Sequence, residues 1–250
     1  MSWNIDGLDE RNTVERTLAV CEFIRSRTPH AVYLQEVVPS TWKSIVKQLS
    51  TEYDCYSSDN PLMDYYPTIL VRKTEIETTD PLKCFNFPHS VMGRHLLQLP
   101  VKFSGVQIQL MTSHLESMRE HGKEREKQLK KAFEFITTLQ QSRICIFGGD
   151  LNVRDWEVES VGLPERCIDV WEACGSQKEH RYTWDVSAND NLDWPYPNRP
   201  KLRFDRLYLS PSDSQLLPKS FALVGKERLP GIGRFPSDHW GMWAEFEVKK

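Results

Sequence analysis

Asp150 and Asn152 stand two residues apart at the end of the run "ICIFGGDLN". An acid beside an amide suits phosphate-ester chemistry. The carboxylate can orient and deprotonate an attacking water, and the amide can hold a phosphate oxygen as charge develops. Similar residues recur elsewhere. Asn4 and Asp6 close the opening run, two apart and on one face if the strand continues that far. Glu36 ends "HAVYLQEV", His114, Ser117 and Arg119 follow "LMTS", and Asp238-His239 lead into the last strand. One polar strand end is ordinary solvation or turn capping. Several apolar strands ending this way can converge on one pocket when their ends share a sheet edge.

Roles follow from donor chemistry. A hard cation such as Mg²⁺, with Mn²⁺ as a substitute, takes carboxylate oxygens and keeps several waters. Glu36 and Asp6 are the candidates, and Asp150 is the candidate for activating water. Asn4, Asn152, His114 and His239 are the candidate phosphate holders. Asp238 or Asp205 would fix the imidazole of His239 and raise its pKa. The bland alternatives are a strand-edge His239 and an Asp205 paired with Arg203 or Arg206.

The elements that must position these residues are readable from pattern. The 250 residues are 39% hydrophobic and 27% charged, which fits one or two globular domains. The net charge of −3 gives no global basic field, so a nucleic-acid partner needs local positive surface. No apolar run approaches the roughly 18 residues of a membrane span. The six cysteines are scattered without a Cys-x-x-Cys, which points to a reducing, intracellular setting without structural zinc. The opening "MSWNIDGLDE" reads as a strand end and turn, so further residues are expected upstream. Asn12 and Glu15 resemble a capping box for a helix with Val14, Leu18, Cys21 and Ile24 inward, ended at Pro29. A second helix is expected around Thr41–Leu49. "GKEREKQLKKAFEFITTLQQS" reads as a third, with Leu129, Ala132, Phe133, Ile136 and Leu139 inward. Its Lys123, Arg125, Lys127, Lys130 and Lys131 alternate with glutamates and read as a solvated face. Strands are expected at "PTILVRK", "RHLLQLPVKF", "VQIQLMTSHLES", "KLRFDRLYLS" and "HWGMWAEFEV", the last with Trp240, Met242, Ala244, Phe246 and Val248 on one face. Gly148 and Gly149 read as a tight backbone turn beside a phosphate. Asn189–Lys201 is a long Pro- and Asn-rich loop, a frequent place for function. Helices among these strands imply one α/β or α+β domain over residues 1–250 with packed sheets.

"WNIDGLD", "LQEV", "TSHLES", "GGDLN" and "SDHWG", in this order, resemble the exonuclease–endonuclease–phosphatase superfamily. "WNIDGLDERN", "TSHLESMREHGKER", "GDLNVRDWEV", "YTWD", "KLRFDRLYL" and "GRFPSDHWG" resemble, more narrowly, the type 2 tyrosyl-DNA phosphodiesterases along essentially the whole chain. The resemblance implies a four-layered sandwich of two mixed β-sheets flanked by helices. It implies Mg²⁺-dependent cleavage between a tyrosine oxygen and a 5′ DNA phosphate, as left by trapped topoisomerase II, with a peptide remnant to accommodate. Glu36 and Asp6 match its metal positions, Asp150 its water-activating acid, and Asn4, Asn152, His114 and His239 its phosphate-holding set, with Asp238 a further catalytic position. DNA contacts are implied at Ile5, Gly7 and Leu8, at Leu115, Glu116, Ser117, Met118 and Arg119, and at Val153 and Arg154. Tyr65 and Trp184 match aromatic positions at the DNA groove, Phe204 and Leu192 parts of an apolar wall, and Arg94 a further phosphate contact. Core packing is the alternative for each aromatic. Leu151 stands where the family usually has Thr; its side chain is expected to point away from the pocket. The family carries a ubiquitin-binding segment upstream and implies a nuclear location, with cytoplasm as a second. The competing readings are an abasic-site or general DNA nuclease and a catalytically silent DNA-binding scaffold.

Overall fold

The structure, a computed structural model, describes residues 1–58, 61–211 and 213–249. In chain order it runs β1 (Ser2–Asn4), α1 (Thr13–Arg27), β2 (Ala31–Val37), α2 (Pro39–Leu49), β3 (Tyr53–Ser57), β4 (Tyr66–Arg72), β5 (Ile76–Thr78), β6 (Lys83–Asn86), β7 (His95–Phe103) and β8 (Val106–Ser113). Then follow α3 (Gly122–Leu139), β9 (Ile144–Asp150), α4 (Asp155–Val161), β10 (Ile168–Asp169), α5 (Val170–Ala173), β11 (Trp184–Asp185), β12 (Lys201–Leu202), β13 (Asp205–Ser210), β14 (Leu216–Val224) and β15 (Gly241–Val248).

One sheet has the order β14-β15-β1-β2-β4-β3 and the other β10-β13-β9-β8-β7-β5, with β6 also on β7. Each sheet is antiparallel except for one parallel pair, β1 with β2 and β8 with β9. Parallel neighbours need a crossover, and here it is a helix each time, α1 and α3. The two βαβ units therefore deliver their carboxyl ends, Asn4, Glu36, Ser113 and Asp150, to polar chemistry. This is where α/β sheets usually bind ligands.

Strand alternation divides the apolar residues into three layers. Tyr33, Ile69, Val71, Leu97, Leu99, Ile108, Leu110, Leu207, Leu209 and Met242 fill the space between the sheets. Val32, Leu34 and Leu70, one residue out of phase, pack with Val20, Ile24 and Ile45 of α1 and α2. Leu96, Met111, Cys145 and Phe147 pack with Leu129, Ala132, Phe133 and Ile136 of α3. The expected four-layered sandwich is therefore formed. β15 carries its expected inward face: Met242, with Trp240 just before the strand, is buried in the inter-sheet core, and Ala244, Phe246 and Val248 pack, partly buried, against it. The described residues include no helix long and apolar enough to cross a membrane.

Several local expectations change. Asn12 makes no side-chain cap; it lies in the left-handed region, and its carbonyl accepts from Arg16. Val14 and Leu18 of α1 are exposed, and the buried stripe is Arg16, Thr17, Val20, Cys21 and Ile24. Arg16 takes an inward position because its guanidinium reaches the carbonyls of Asp6 and Asp9 and the Asp6 carboxylate. Gly148 and Gly149 are not a turn: both lie within β9. A Cβ at Gly148 would meet the Arg206 carbonyl at 2.5 Å, and one at Gly149 (φ 143°) the Ser113 carbonyl at 2.1 Å. Glycine is needed there for close strand approach. "KLRFDRLYLS" splits, its first residues pairing with β11 rather than continuing β13.

Candidate active site

The strand ends converge. Asn4 Nδ2 donates to Asp150 Oδ2 at 2.9 Å, joining the last residues of β1 and β9 across the two sheets. Asp150 Oδ1 accepts from the Asn152 backbone at 3.1 Å. His114 Nε2 lies 3.4 Å and His239 Nε2 3.7 Å from Asp150 Oδ2. All of these side chains are buried. Burial alone would push the Asp150 carboxyl up. His239, His114 and the bonds from Asn4 and Asn152 outweigh it and hold Asp150 below the usual carboxylate range.

The two histidines differ. Burial and the nearby Arg94 push His114 well below the usual imidazole value, so it is neutral at pH 7. Its Nδ1 has no hydrogen-bond partner among the described residues. Burial works the same way on His239, but Asp205, Asp150 and Asp238 overcome it and raise its pKa well above the usual range. Asp205 supplies the direct contact, with Oδ2 2.8 Å from His239 Nδ1. This settles the orienting carboxylate as Asp205. Asp238 does not hold the imidazole; it accepts from Trp184 Nε1 at 3.1 Å. Ser237 fixes the same corner, donating to the Asn4 carbonyl at 2.6 Å and accepting from the His239 backbone at 3.0 Å.

Glu36 reaches the pocket through a bulge. Pairing of β2 with β4 slips between Leu34 and Val37, and Glu36 adopts φ 54°. A bulge re-aims one side chain without disturbing the next alternation. The bulge needs Gly7, where a Cβ would sit 2.2 Å from the Glu36 carbonyl. Oxygens or nitrogens of Glu36, His114 and Asp150 lie within 4.8 Å of one another, as do those of Asp150, Asp205 and His239. Burial and the Asp238 charge push the Glu36 carboxyl up to about 7, against the pull of Asn4 and His239. Burial and Asp238 likewise push Asp6 up to about 8, with Arg16 opposing. Carboxylates that raise one another in this way form a donor set that a hard cation would relieve. The residues thus fit a metal. Asp6 stands outside both clusters, its Oδ2 3.1 Å from Arg16 Nη1. Its position also differs from the expected strand face: β1 ends at Asn4, and Asp6 turns back so that its N–H donates to Asn4 Oδ1.

Two substrate-side groups flank this centre. Arg94 lies 5.0 Å from the Tyr65 ring centroid and donates to Ser117 Oγ at 2.9 Å. Asn152 Nδ2 meets the same Ser117 Oγ at 3.3 Å, and the Tyr65 ring lies 6.3 Å from His114. On the other flank Arg154 lies 5.2 Å from the Phe204 ring centroid and donates to the Asn152 carbonyl at 2.9 Å. Phe204 and Trp184 are largely buried against each other and beside Trp194, so they form a floor rather than an open stacking face. Leu8, Met118, Arg119 and Leu192 are exposed. The side chains of Ile5, Leu115 and Val153 belong to the core, and Glu116 is fully buried and saturated by hydrogen bonds. These four side chains support the segments that carry them, so a contact to DNA at these positions, or at Gly7, would run through the backbone. Leu151 is buried in the α3 layer, so its departure from Thr is packing. In the long loop, Asn189 and Asn191 are buried and donate to the carbonyls of Ser237 and Phe235.

Glu157 escaped the sequence reading, and Arg125 departs from it. Arg125 is fully buried rather than on a solvated face, and it pairs with Glu157. The only signal was indirect: Arg125 and Gln128 share the helix side of Leu129 and Ala132.

Two sheets, paired βαβ units and an acid–amide–histidine pocket at their joint ends define a class. The chain belongs to the Endonuclease/Exonuclease/phosphatase family, whose sequence model matches residues 1–239. Within that class it is similar to tyrosyl-DNA phosphodiesterase 2 of Xenopus laevis, 41% identical over 251 residues, 99% of this chain and 66% of the relative. Tyrosyl-DNA phosphodiesterase 2 of Homo sapiens is 38% identical, over 99% of this chain and 67% of the relative. The chain thus spans about two thirds of the length of such relatives. The crystal structure of D. rerio TDP2 complexed with single strand DNA product superposes with a TM-score of 0.91 at 39% identity, covering 99% of this chain and 97% of that one.

Proposed function

We propose that this chain is a Mg²⁺-dependent phosphodiesterase that cuts the bond between a tyrosine oxygen and the 5′ phosphate of DNA, leaving a ligatable 5′-phosphate. The observation that carries this reading is the Arg154 guanidinium over Phe204, held to the Asn152 carbonyl two residues from the Asp150 carboxylate. An aromatic leaving group can stack on that guanidinium, whose charge offsets the phenolate. The names of the Xenopus and human relatives, and the DNA product in the D. rerio structure, support the substrate class.

In this mechanism Asp150, kept ionised by its neighbours, takes a proton from the attacking water. The water oxygen bonds to phosphorus and the tyrosyl oxygen departs with the bonding pair. Asn4, neutral His114 and the His239 imidazolium hold the non-bridging oxygens. Asp205 keeps His239 charged and turned. Asn152, Ser117 and Arg94 form the neighbouring donor set for the DNA strand. Mg²⁺ bound at Glu36, beside Asp6 and Asp238, would supply further positive charge to the phosphate. The leaving partner would be a peptide remnant of topoisomerase II, and a nuclear location, with cytoplasm as a second, belongs to the same proposal. A ubiquitin contact would belong to residues upstream.

The test compares a 5′-phosphotyrosyl oligonucleotide with a duplex containing an internal abasic site, both in Mg²⁺. The wild type should cleave the first far faster, and Asp150→Asn should lose about a hundredfold or more. Preference for the abasic site would favour the nuclease reading. Equal, slow release by wild type and variant would leave only a binding scaffold.

A further inference from the structure

The buried pair behind the substrate loops has an unusual distribution of bonds. Arg125 meets Glu157 at two points, Nη2 to Oε1 at 2.5 Å and Nε to Oε2 at 3.1 Å. Its remaining nitrogen, Nη1, donates to the carbonyls of Glu116 and Met118, both at 2.8 Å, and to that of Ser117 at 3.4 Å. Glu157 Oε2 also accepts from the Arg154 backbone at 2.8 Å. One turn along α3, Gln128 bonds both the backbone N–H and the carboxylate of Glu116, each at 2.9 Å. Glu116 in turn accepts from the N–H groups of Val91 and Met92 and from Ser90. Buried charge-assisted bonds thus run from α3 to three loops. Those loops carry Arg94, Ser117 and Arg154.

We infer that Arg125 and Glu157 are positioning residues that set the substrate grip of Ser117 and Arg154, an inference that rests on the phosphotyrosyl reading above. Net stability does not explain them, because a buried ion pair rarely outperforms well-packed apolar residues. Anchoring of α3 does not need them either, since Leu129, Ala132, Phe133 and Ile136 already fix that helix. What the pair adds is geometry: its bonds outside itself go to the backbone of residues 116–118 and 154.

The test is steady-state kinetics of Glu157→Gln and Arg125→Lys in Mg²⁺ on two substrates. One is the 5′-phosphotyrosyl oligonucleotide and the other bis(p-nitrophenyl) phosphate, which keeps an aromatic leaving group for Arg154 but has no DNA chain for Ser117. On the oligonucleotide, kcat/KM should fall about tenfold or more, mainly through KM. The loss on the small ester should be several-fold smaller. Arg154→Ala should also cost less in the Glu157→Gln background than in the wild type, because both act on one grip. Equal losses on the two substrates, or additive effects with Arg154→Ala, would overturn the inference. Should Glu157→Gln not fold, Gly122→Ala presses on the same pair, its Cβ 3.0 Å from Glu157 Oε1, and carries the same comparison. Wild type that cleaves the small ester but not the oligonucleotide would instead defeat the phosphotyrosyl reading, and this inference with it.

Discussion

Arg154 separates this pocket from a generic phosphate-ester site. It is one-fifth exposed, its guanidinium lying over the Phe204 ring and donating to the Asn152 carbonyl. Arg154→Ala should reduce kcat/KM about tenfold to a hundredfold on a phosphotyrosyl substrate. It should cost much less on a 5′ ester whose leaving alcohol is not aromatic, and equal losses would remove the stacking role. Residue types were legible because the chemistry demands them: Asp150, Asn4, His114, His239 and Glu36 do meet. Their partners were less legible. Sequence order placed Asp238 beside His239, yet the pairing of β9 with β13 brings Asp205 to the imidazole instead. Adjacency in sequence says little about contact when successive strand residues point to opposite faces.

Glu36 and Asp6 give the residue scale its pH dependence. An acid whose folded pKa lies above its unfolded value holds more protons folded than unfolded between the two, so stability falls as pH rises through that window. Glu36 spans 4.5 to about 7 and Asp6 spans 3.8 to about 8. Without divalent cation, these two groups should lower Tm progressively from about pH 4 to pH 8. Added Mg²⁺ should raise Tm more at about pH 8 than at about pH 6, because a cation binds carboxylates already free of protons. Calorimetry at both pH values with EDTA or Mg²⁺ checks this; identical gains would remove Glu36 as the metal ligand.

Elements were read well where periodicity was strong and poorly where local chemistry overrode it. The apolar stripe of α3 is as expected, from Leu129 to Ile136. The stripe of α1 is displaced because Arg16 makes five hydrogen bonds to carbonyls from Ile5 to Arg11 and to Pro236, a gain no hydrophobicity count registers. β3 and β14 escaped notice, the first short and partly exposed, the second interrupted by Pro218 and a register shift. Strand β9 supplies the sharpest element-scale prediction. Gly149→Ala places a methyl 2.1 Å from the Ser113 carbonyl at a φ of 143° that L-residues rarely adopt. It should cost about 2 kcal/mol or more, lowering Tm by about 4–8 °C in a chain of this size. Activity should fall further than stability alone predicts, since β8 and β9 deliver His114 and Asp150. A Tm within a degree of wild type would sink this account of the glycine.

At the scale of the molecule, the parallel pairs and their crossover helices were inferable only as a fold class. Strand order and the joint edge depend on contacts far apart in sequence. With a net charge of −3, positive charge is local: Arg94 and Arg154 both stand near Asp150, and Arg119 lies near Arg154. The Asn4–Asp150 bond spans 146 residues and crosses from one sheet to the other. Glu36 and Asn4 come from one half, His114 and Asp150 from the other, and neither half holds a working set. The pocket therefore acts as its own interlock. A chain newly emerging from synthesis, or one whose halves have come apart, carries every reactive residue and yet has no means of hydrolysing a phosphate ester.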